Sequence, residues 1–366
     1  MKLSIAKSEL LSSLNTVSKG MSSRSTLPIL SGVHLDAKAG KLTLQATDLE
    51  VSVRHIRPAL IELDGTVVVP GKLFSDIIRL LPDAAVTLEL NEGSLQITCQ
   101  QSTFTIRTLS ADDFPKFPEL NVEKSAALPA SVLDAMVKRV SKAVSKDETR
   151  AVLTGVLFVI EGATVRMVAT DSYRLALIER VLEAPLKEDL EAVIPGRALD
   201  EVARLADSES DIQIGLSQNQ VVFEFDDTTF ITRRVEGSFP NYKQLIPKET
   251  SCFIDVSTEE FLLAVKRVSL LALQNSPLRL SFQAKEQTLS LSSAAQEVGD
   301  AAEDVMAKID GGDIEIAFNH TFLIDGLSSV PTETTRIELQ SSLKPGLLKS
   351  VEGDPFLYLL MPVRLG

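Results

Sequence analysis

Apolar residues fall on alternate positions in a long series of short runs. Leu42, Leu44 and Ala46 alternate with polar side chains across 41–47, and the same period of two recurs at 94–99, 164–169 and 221–225. That period puts one face of a strand on a core and turns the other to water. Elsewhere the spacing lengthens to three and four, as at Leu10, Leu14 and Val17, and predicts a helix over about 7–19. On this pattern the first third of the chain continues with strands at 32–35, 41–47 and 51–56. A helix over 72–81, stopped by Pro82, and strands at 86–90, 94–99 and 103–109 complete it.

The middle third repeats the order. A helix opens at Pro129 and runs to about Lys146, burying Leu133, Met136, Val137, Val140 and Val144, with Lys138, Arg139, Lys142 and Lys146 together on another side. Strands at 155–160, 164–169 and 175–181, a helix at 197–205 and strands at 212–216, 221–225 and 229–235 follow. The last third has helices at 258–273 and 319–329, strands through 306–309 and a final strand at 356–362.

Sequence marks recur at the same interval. Thr47-Asp48-Leu49-Glu50 returns as Thr170-Asp171-Ser172-Tyr173 after 123 residues, and Ser292-Ser293-Ala294-Ala295 stands where a third copy falls due. Pro70-Gly71-Lys72, Pro195-Gly196-Arg197 and Phe318-Asn319-His320 each open a helix, and Phe114-Pro115 and Phe239-Pro240 close two of the units. A period this long is a domain and not a solenoid repeat. The reading is three copies of one α+β domain, at 1–121, 122–247 and 248–366, each with two helices on antiparallel sheets.

Composition adds limits. At 44% hydrophobic and 24% charged the chain is globular material, and no apolar run approaches the roughly 18 residues of a membrane span. Lys7 and Glu9 interrupt any export signal, and Cys99 and Cys252 are too far apart in sequence to suggest a pair, so a reduced cytoplasmic protein is expected. His34, His55 and His320 make no metal-ligand spacing. The net charge of −13 argues against a polyanion partner until it is apportioned. The six predicted helices carry 12 Lys/Arg and 8 Asp/Glu, which leaves +4 on helices and −17 elsewhere. A mildly basic helical surface in an acidic shell has that distribution.

No catalytic constellation emerges. Asp48 and Asp171 have no histidine nearby in sequence, and a repeated Thr-Asp at a strand end is the signature of a turn whose side chains bond local backbone. The Pro-Gly-Lys marks lack the glycines of a phosphate loop, and with no Trp and three Tyr a stacking platform for single strands is unsupported. An enzyme using Asp171 and Arg174 on a small anion is the alternative. Threefold duplication without a catalytic cluster instead suggests a scaffold, whose units could pair head to tail into a closed ring.

Arg24 followed by Thr26-Leu27-Pro28-Ile29-Leu30, Thr47-Asp48-Leu49-Glu50, Val69-Pro70-Gly71-Lys72, Ala111-Asp112-Asp113-Phe114-Pro115, Thr170-Asp171-Ser172-Tyr173-Arg174-Leu175, Phe239-Pro240-Asn241-Tyr242, Ala317-Phe318-Asn319 and the terminal Met361-Pro362-Val363-Arg364-Leu365 occur in this order. In these marks the chain resembles the bacterial sliding clamps, the beta subunits of DNA polymerase III, along its whole length. The resemblance implies a homodimeric ring of six like domains around duplex DNA, without sequence preference, that tethers the DNA polymerase III catalytic subunit. A clamp loader opens the ring with its own ATP, so no cofactor, metal or catalysis belongs to the chain.

Carried over by position, the resemblance implies a partner-peptide pocket of Leu153, Thr170, Ser172, Tyr173, Arg174, Leu175, Pro240, Leu245, Pro345, Leu359, Leu360, Met361, Pro362, Val363 and Arg364. Gln244 and Pro345 depart from what many relatives carry there. DNA contacts are implied at Arg24, Lys72, Arg79, Lys146, Arg150 and Arg197, and a dimer contact between Phe104, Ile106 and Arg107 and the region of Leu270, Leu271, Glu297, Asp300, Glu303 and Asp304. A clamp-like paralogue conferring resistance to a clamp-binding antibiotic would share all these marks.

Overall fold

The computed structural model describes residues 1–22, 27–186, 188–272, 277–295 and 299–364. One pattern occurs six times in it: a strand that runs straight into a helix, followed by three strands. The first is β1 (Lys2–Ala6), α1 (Lys7–Val17), β2 (Gly32–Lys38), β3 (Lys41–Thr47) and β4 (Val51–Pro58). After an additional strand, β5 (Leu60–Leu63), the second is β6 (Gly65–Pro70), α2 (Gly71–Leu80), β7 (Ala85–Asn91), β8 (Ser94–Cys99) and β9 (Ser102–Arg107). The middle repeat gives β10 (Lys124–Pro129), α3 (Ala130–Val140), β11 (Gly155–Glu161), β12 (Thr164–Thr170) and β13 (Arg174–Val181). It continues with β14 (Leu190–Pro195), α4 (Gly196–Leu205), β15 (Asp211–Leu216), β16 (Gln220–Phe225) and β17 (Thr228–Arg233). The last gives β18 (Cys252–Ser257), α5 (Thr258–Val268), β19 (Pro277–Gln283), β20 (Thr288–Ala295) and β21 (Gly299–Asp310). It ends with β22 (Ile314–Asn319), α6 (His320–Leu327), β23 (Thr334–Leu339), β24 (Gly346–Ser350) and β25 (Phe356–Leu360). Each 123-residue period therefore holds two patterns.

The strand-to-helix joints explain the Pro-Gly marks. A Cβ on Gly71 would lie 2.2 Å from the Met21 sulfur and 3.0 Å from the Ser31 carbonyl oxygen, and one on Gly196 would lie 2.9 Å from Val144. Glycine lets the joint pack that closely. In the last repeat Asn319 does a different job, its Oδ1 accepting from the Thr321 and Phe322 amides at 2.9 and 3.3 Å as a helix cap.

The chain separates into two compact units, Met1–Ser131 with Arg197–Arg234 and Val132–Gly196 with Val235–Gly366. In the first, a five-stranded sheet runs β5-β1-β7-β8-β9 and an eight-stranded sheet runs β10-β15-β16-β17-β4-β3-β2-β6. The second is built on a twelve-stranded sheet, β14-β11-β12-β13-β25-β24-β23-β18-β21-β20-β19-β22. The pairings that join neighbouring repeats are antiparallel and of one kind: Phe230 of β17 lies opposite Val53 of β4, and Tyr358 of β25 opposite Ala176 of β13. Helices α1 and α2 pack together in the first unit, as do α5 and α6 in the second. Fully buried Leu10, Leu14, Phe74, Phe261 and Leu323 anchor them, each burial worth about 1.5–3 kcal/mol.

Several expected elements differ. The strands that precede the helices were not foreseen, because five or six residues feeding directly into a helix show too little alternation. The helix expected to reach Lys146 ends at Val140, where φ has moved to −106°, and after one 3-10 turn Val144 is extended and packs on Gly196. The expected basic face is thereby broken. Lys138 pairs with Asp134 at 2.7 Å and the half-buried Arg139 donates to the Ser329 carbonyl at 3.1 Å, leaving Lys142 and Lys146 open to solvent. The helix expected over 258–273 ends at Val268, and the final strand at Leu360.

Two histidines in the first unit are held neutral. Burial lowers the pKa of His34, opposed by Asp36, and of His55, where Arg57 adds to burial while Asp227, Glu9 and Asp226 oppose it. His55 Nδ1 bonds Thr228 Oγ1 at 2.8 Å, and the second ring nitrogen of His55 and Nδ1 of His34 are buried without a hydrogen-bond partner among the described residues. The folded state resists protonation that the unfolded chain accepts near pH 6.5, so their contribution is full above that pH and is lost as pH falls through the lowered values. Urea midpoints should decline from pH 7 to 5.5, and a His34→Asn, His55→Gln variant should show a flatter slope there. An unchanged slope would refute the assignment.

Candidate functional site

The central part of the twelve-stranded sheet is apolar on both faces. On one, Phe158, Met167, Ile178 and Phe356 lie in a cross-strand row, all buried, with Tyr358 against Gly326 of α6. On the other, strand register aligns Val193, Leu157, Val168, Leu177 and Leu357 in one row and Thr170, Leu175, Leu359 and Leu347 in the next. Among the described residues no α-helix contributes to the cluster on that second face. The segment that follows β17 crosses it instead, packing Val235, Phe239, Tyr242 and Ile246 on the two rows, with Val152 beside them. Burial raises the pKa of the Tyr242 hydroxyl, and the neighbouring Arg166, itself paired with Glu179, opposes the rise.

This cover is incomplete. At its margin Tyr173 is 60% exposed, Leu245 48% and Met361 44%, with Pro240 and Ser172 also exposed and Pro345, Pro362 and Val363 half-buried. The result is an apolar surface beside the buried Thr170, Leu175 and Leu359, and Leu153 and Leu360 are buried as well. The chain after β25 is fixed by backbone bonds, Met361 donating to the Tyr173 carbonyl at 2.9 Å and Val363 to the Ala317 carbonyl at 2.8 Å, and Arg364 is exposed. An apolar floor with a few polar groups at its rim suits a short peptide with aliphatic and aromatic anchors.

The repeated Thr-Asp mark is a turn, as expected. Thr170 Oγ1 accepts from the Ser172 amide at 3.2 Å and donates to the Arg174 carbonyl at 2.7 Å, while Asp171 Oδ1 accepts from the Tyr173 and Arg174 amides at 2.9 and 3.0 Å. Thr47 and Asp48 make the same four bonds at 2.7–3.0 Å. Leu49 and Ser172, the third residues, both have positive φ, 76° and 80°. In the last repeat the corresponding residues continue β20, where Ala294 lies opposite Asp300.

Arg174, expected at the groove, is buried. Its Nε donates to Asp171 Oδ2 at 2.9 Å, its Nη1 donates to Asp325 Oδ2 at 2.5 Å and Tyr358 Oη at 3.1 Å, and its guanidinium lies 4.4 Å from the Phe322 ring centroid. Phe322 stacks in turn on Tyr173 at 6.3 Å. Burial works against the guanidinium charge, yet Tyr358, Asp325 and Asp171 together hold its pKa raised. Phe322 and Asp325 escaped the sequence reading because nothing local in α6 signals a contact about 150 residues away.

Among the residues expected at DNA, Lys72 and Arg79 line one cleft of about 570 Å³ in the first unit with Asn15, Ser18, Ser31 and Ser75. Arg79 is paired with Asp76 at 2.8 Å, and Lys72 and Arg197 are exposed without an ion-pair partner among the described residues. In the second unit Lys146 is exposed, whereas Arg150 is engaged by Asp147 Oδ2 at 2.9 Å and Ser172 Oγ at 3.0 Å. Arg24 lies outside the described residues. Of the twelve cations on the predicted helices, Lys19, Arg79, Lys138, Arg204 and Arg267 are ion-paired, which leaves seven without such a pair among the described residues.

At the expected dimer contact, Phe104 is 42% exposed on β9, the edge of its sheet, Arg107 is exposed and Leu270 is 82% exposed with Leu271 half-buried. Ile106 is buried in its own unit, where β9 lies beside β6, and Glu303 is bonded by Arg267. Glu297 lies outside the described residues, and Asp300 and Asp304 are exposed.

The DNA polymerase III beta subunit profiles match the chain in order, the N-terminal domain at residues 1–118, the central domain at 127–241 and the C-terminal domain at 243–364. The chain belongs to the DNA polymerase III beta subunit family. It is 36% identical over 378 residues to the beta sliding clamp of Streptomyces coelicolor and 33% identical over 375 residues to that of Staphylococcus epidermidis, covering 99–100% of each relative. The solved DNA polymerase sliding clamp of Bacillus subtilis superposes with a TM-score of 0.95 at 30% identity over the whole of both chains. The three repeats are therefore the three clamp domains of this family, and nothing favours the resistance paralogue. Among the described residues no helix is long and apolar enough to cross a membrane.

Proposed function

We propose that this chain is a DNA sliding clamp: two copies join head to tail around duplex DNA and hold the polymerase III catalytic subunit to it through a short peptide seated on the Tyr173–Leu245–Met361 surface. Other partners carrying such a peptide compete for the same surface. A clamp loader opens the ring, the site of action is the cytoplasm, and the chain performs no catalysis and needs no cofactor or metal. Domain boundaries fall near 121 and 247.

The observation that carries this reading is the exposure of Phe104. In the first two domains the last strand of the second pattern reads alike, Ser-Thr-Phe-Thr-Ile-Arg in β9 and Thr-Thr-Phe-Ile-Thr-Arg in β17. Phe230 of β17 and its positional counterpart Tyr358 of β25 are 1% and 0% exposed, because β4 and β13 pair beside them. Among the described residues Phe104 has no such neighbour. The strand equivalent to β4 and β13 in the last repeat is β21, whose 299–306 stretch pairs, among the described residues, with β20 alone. One free strand of each kind is what a second copy would satisfy, and a heterologous contact that closes gives a ring.

Register follows from the repeat. Ser293 lies opposite Ala301 as Thr170 lies opposite Leu175, so Ala302 takes the place of Ala176. Phe104 would then face Ala302 of the partner subunit, and the positive Arg107 would approach the acidic start of that strand. Leu270 and Leu271 flank the same edge.

Encirclement asks little of the cations. A ring that need only touch phosphates can slide, and a few open lysines and arginines such as Lys72, Lys146 and Arg197 give weak, sequence-independent contact. Retention on circular against cut DNA is the experiment that tests the reading.

A further inference from the structure

The chain contains its own control for the groove turn. Thr47–Val51 and Thr170–Arg174 make the same side-chain-to-backbone bonds and adopt the same positive φ at the third residue. The first copy does this with Glu50 and Val51 where the second has Tyr173 and Arg174. The turn therefore needs only its Thr and Asp, and the buried arginine is an addition.

That addition is a poor stability device. Arg174 is 7% exposed and faces two carboxylates, Asp171 and Asp325, so the cluster carries an excess negative charge in a largely dry site. Buried ion pairs return little net stability against apolar packing, and their best-attested use is to fix one geometry. The geometry fixed here runs from α6 to the groove. Asp325 holds the guanidinium, the guanidinium lies on Phe322, and Phe322 stacks on Tyr173, the most exposed of the three rim residues.

We infer that Asp325, which is not itself part of the groove, is a positioning residue for partner binding, setting the Tyr173 ring through Arg174 and Phe322. The inference rests on the groove being the partner site. Asp325 acts before any peptide arrives, by removing alternative placements of Tyr173 that binding would otherwise have to suppress.

The test is a double-mutant cycle with the full-length protein and a fluorescein-labelled peptide of the C-terminal residues of the cognate polymerase III catalytic subunit. Asp325→Asn should weaken binding roughly tenfold, in the range of coupling energies for interacting residues, while sedimentation still shows the dimer. In a Tyr173→Ala background the same change should cost less than twofold, because the group it positions is gone. A general structural defect would weaken binding equally in both backgrounds, and that additivity, or wild-type affinity for Asp325→Asn, overturns the inference. Should Asp325→Asn fail to fold, Phe322→Leu breaks the same relay with the ion cluster intact and must show the same loss and the same non-additivity. The doubly truncated Leu245→Ala, Met361→Ala protein separates the two readings: if it binds as wild type the groove assignment fails, whereas if it loses binding and Asp325→Asn does not, only the positioning role fails.

Discussion

Replacing Phe104 by aspartate should convert the dimer to a monomer, with the dissociation constant rising at least about 100-fold. Phe104 is the apolar residue of an edge strand whose counterparts Phe230 and Tyr358 are fully covered wherever the same strand pairing occurs inside the chain. Truncating such an anchor costs about 2 kcal/mol or more, and a carboxylate left unpaired in the covered site adds several. The monomer should remain folded, since the side chain is already 42% exposed without a partner. Thr105, exposed on the opposite face of β9, supplies the control: Thr105→Ala should leave association unchanged. Sedimentation velocity across a concentration series reads both. A Phe104→Asp protein that dimerises like the wild type would mean that β9 is not the edge involved.

The second large effect is expected at the groove. Leu245→Ala together with Met361→Ala should weaken the polymerase-tail peptide about 100-fold with little change in thermal midpoint or in dimerisation. Both side chains are nearly half exposed in the free protein, so truncation removes contact surface without opening a cavity. Anchors of this kind contribute about 1–2 kcal/mol each when a partner buries them. Leu175 is the wrong probe. It has no exposed surface, and its truncation would open a core cavity costing about 2–5 kcal/mol of stability. Isothermal titration with wild-type affinity for the double variant would move the partner site elsewhere.

What the sequence made legible depended on the range of the interaction. The Thr-Asp turn was readable because Thr170 and Asp171 bond atoms at most four residues away. The alternating strands were readable for the same reason. The strands before each helix were not, and neither was the half-domain period they define, because Lys2–Ala6 or Leu190–Pro195 shows too few alternations before the helical spacing begins. The charge count did not show which helix cations are paired, since the pairing of Lys19 with Glu201 or of Arg267 with Glu303 joins residues far apart in the chain. The resemblance named Tyr173, Leu245 and Met361, which are exposed in the structure, but gave no hint that Arg174 is buried and bonded to Asp325. That contact exists only because β25 pairs with β13 and brings α6 alongside.

Enclosure in place of affinity has one direct readout. Protein loaded by its clamp loader onto a nicked circular duplex, then separated from free protein by gel filtration at about 0.15 M salt, should stay with the circle for many minutes. It should leave within the dead time once a single restriction cut makes the DNA linear, because phosphate contacts this weak do not hold it. Equal retention on the circle and on the cut molecule would contradict the account.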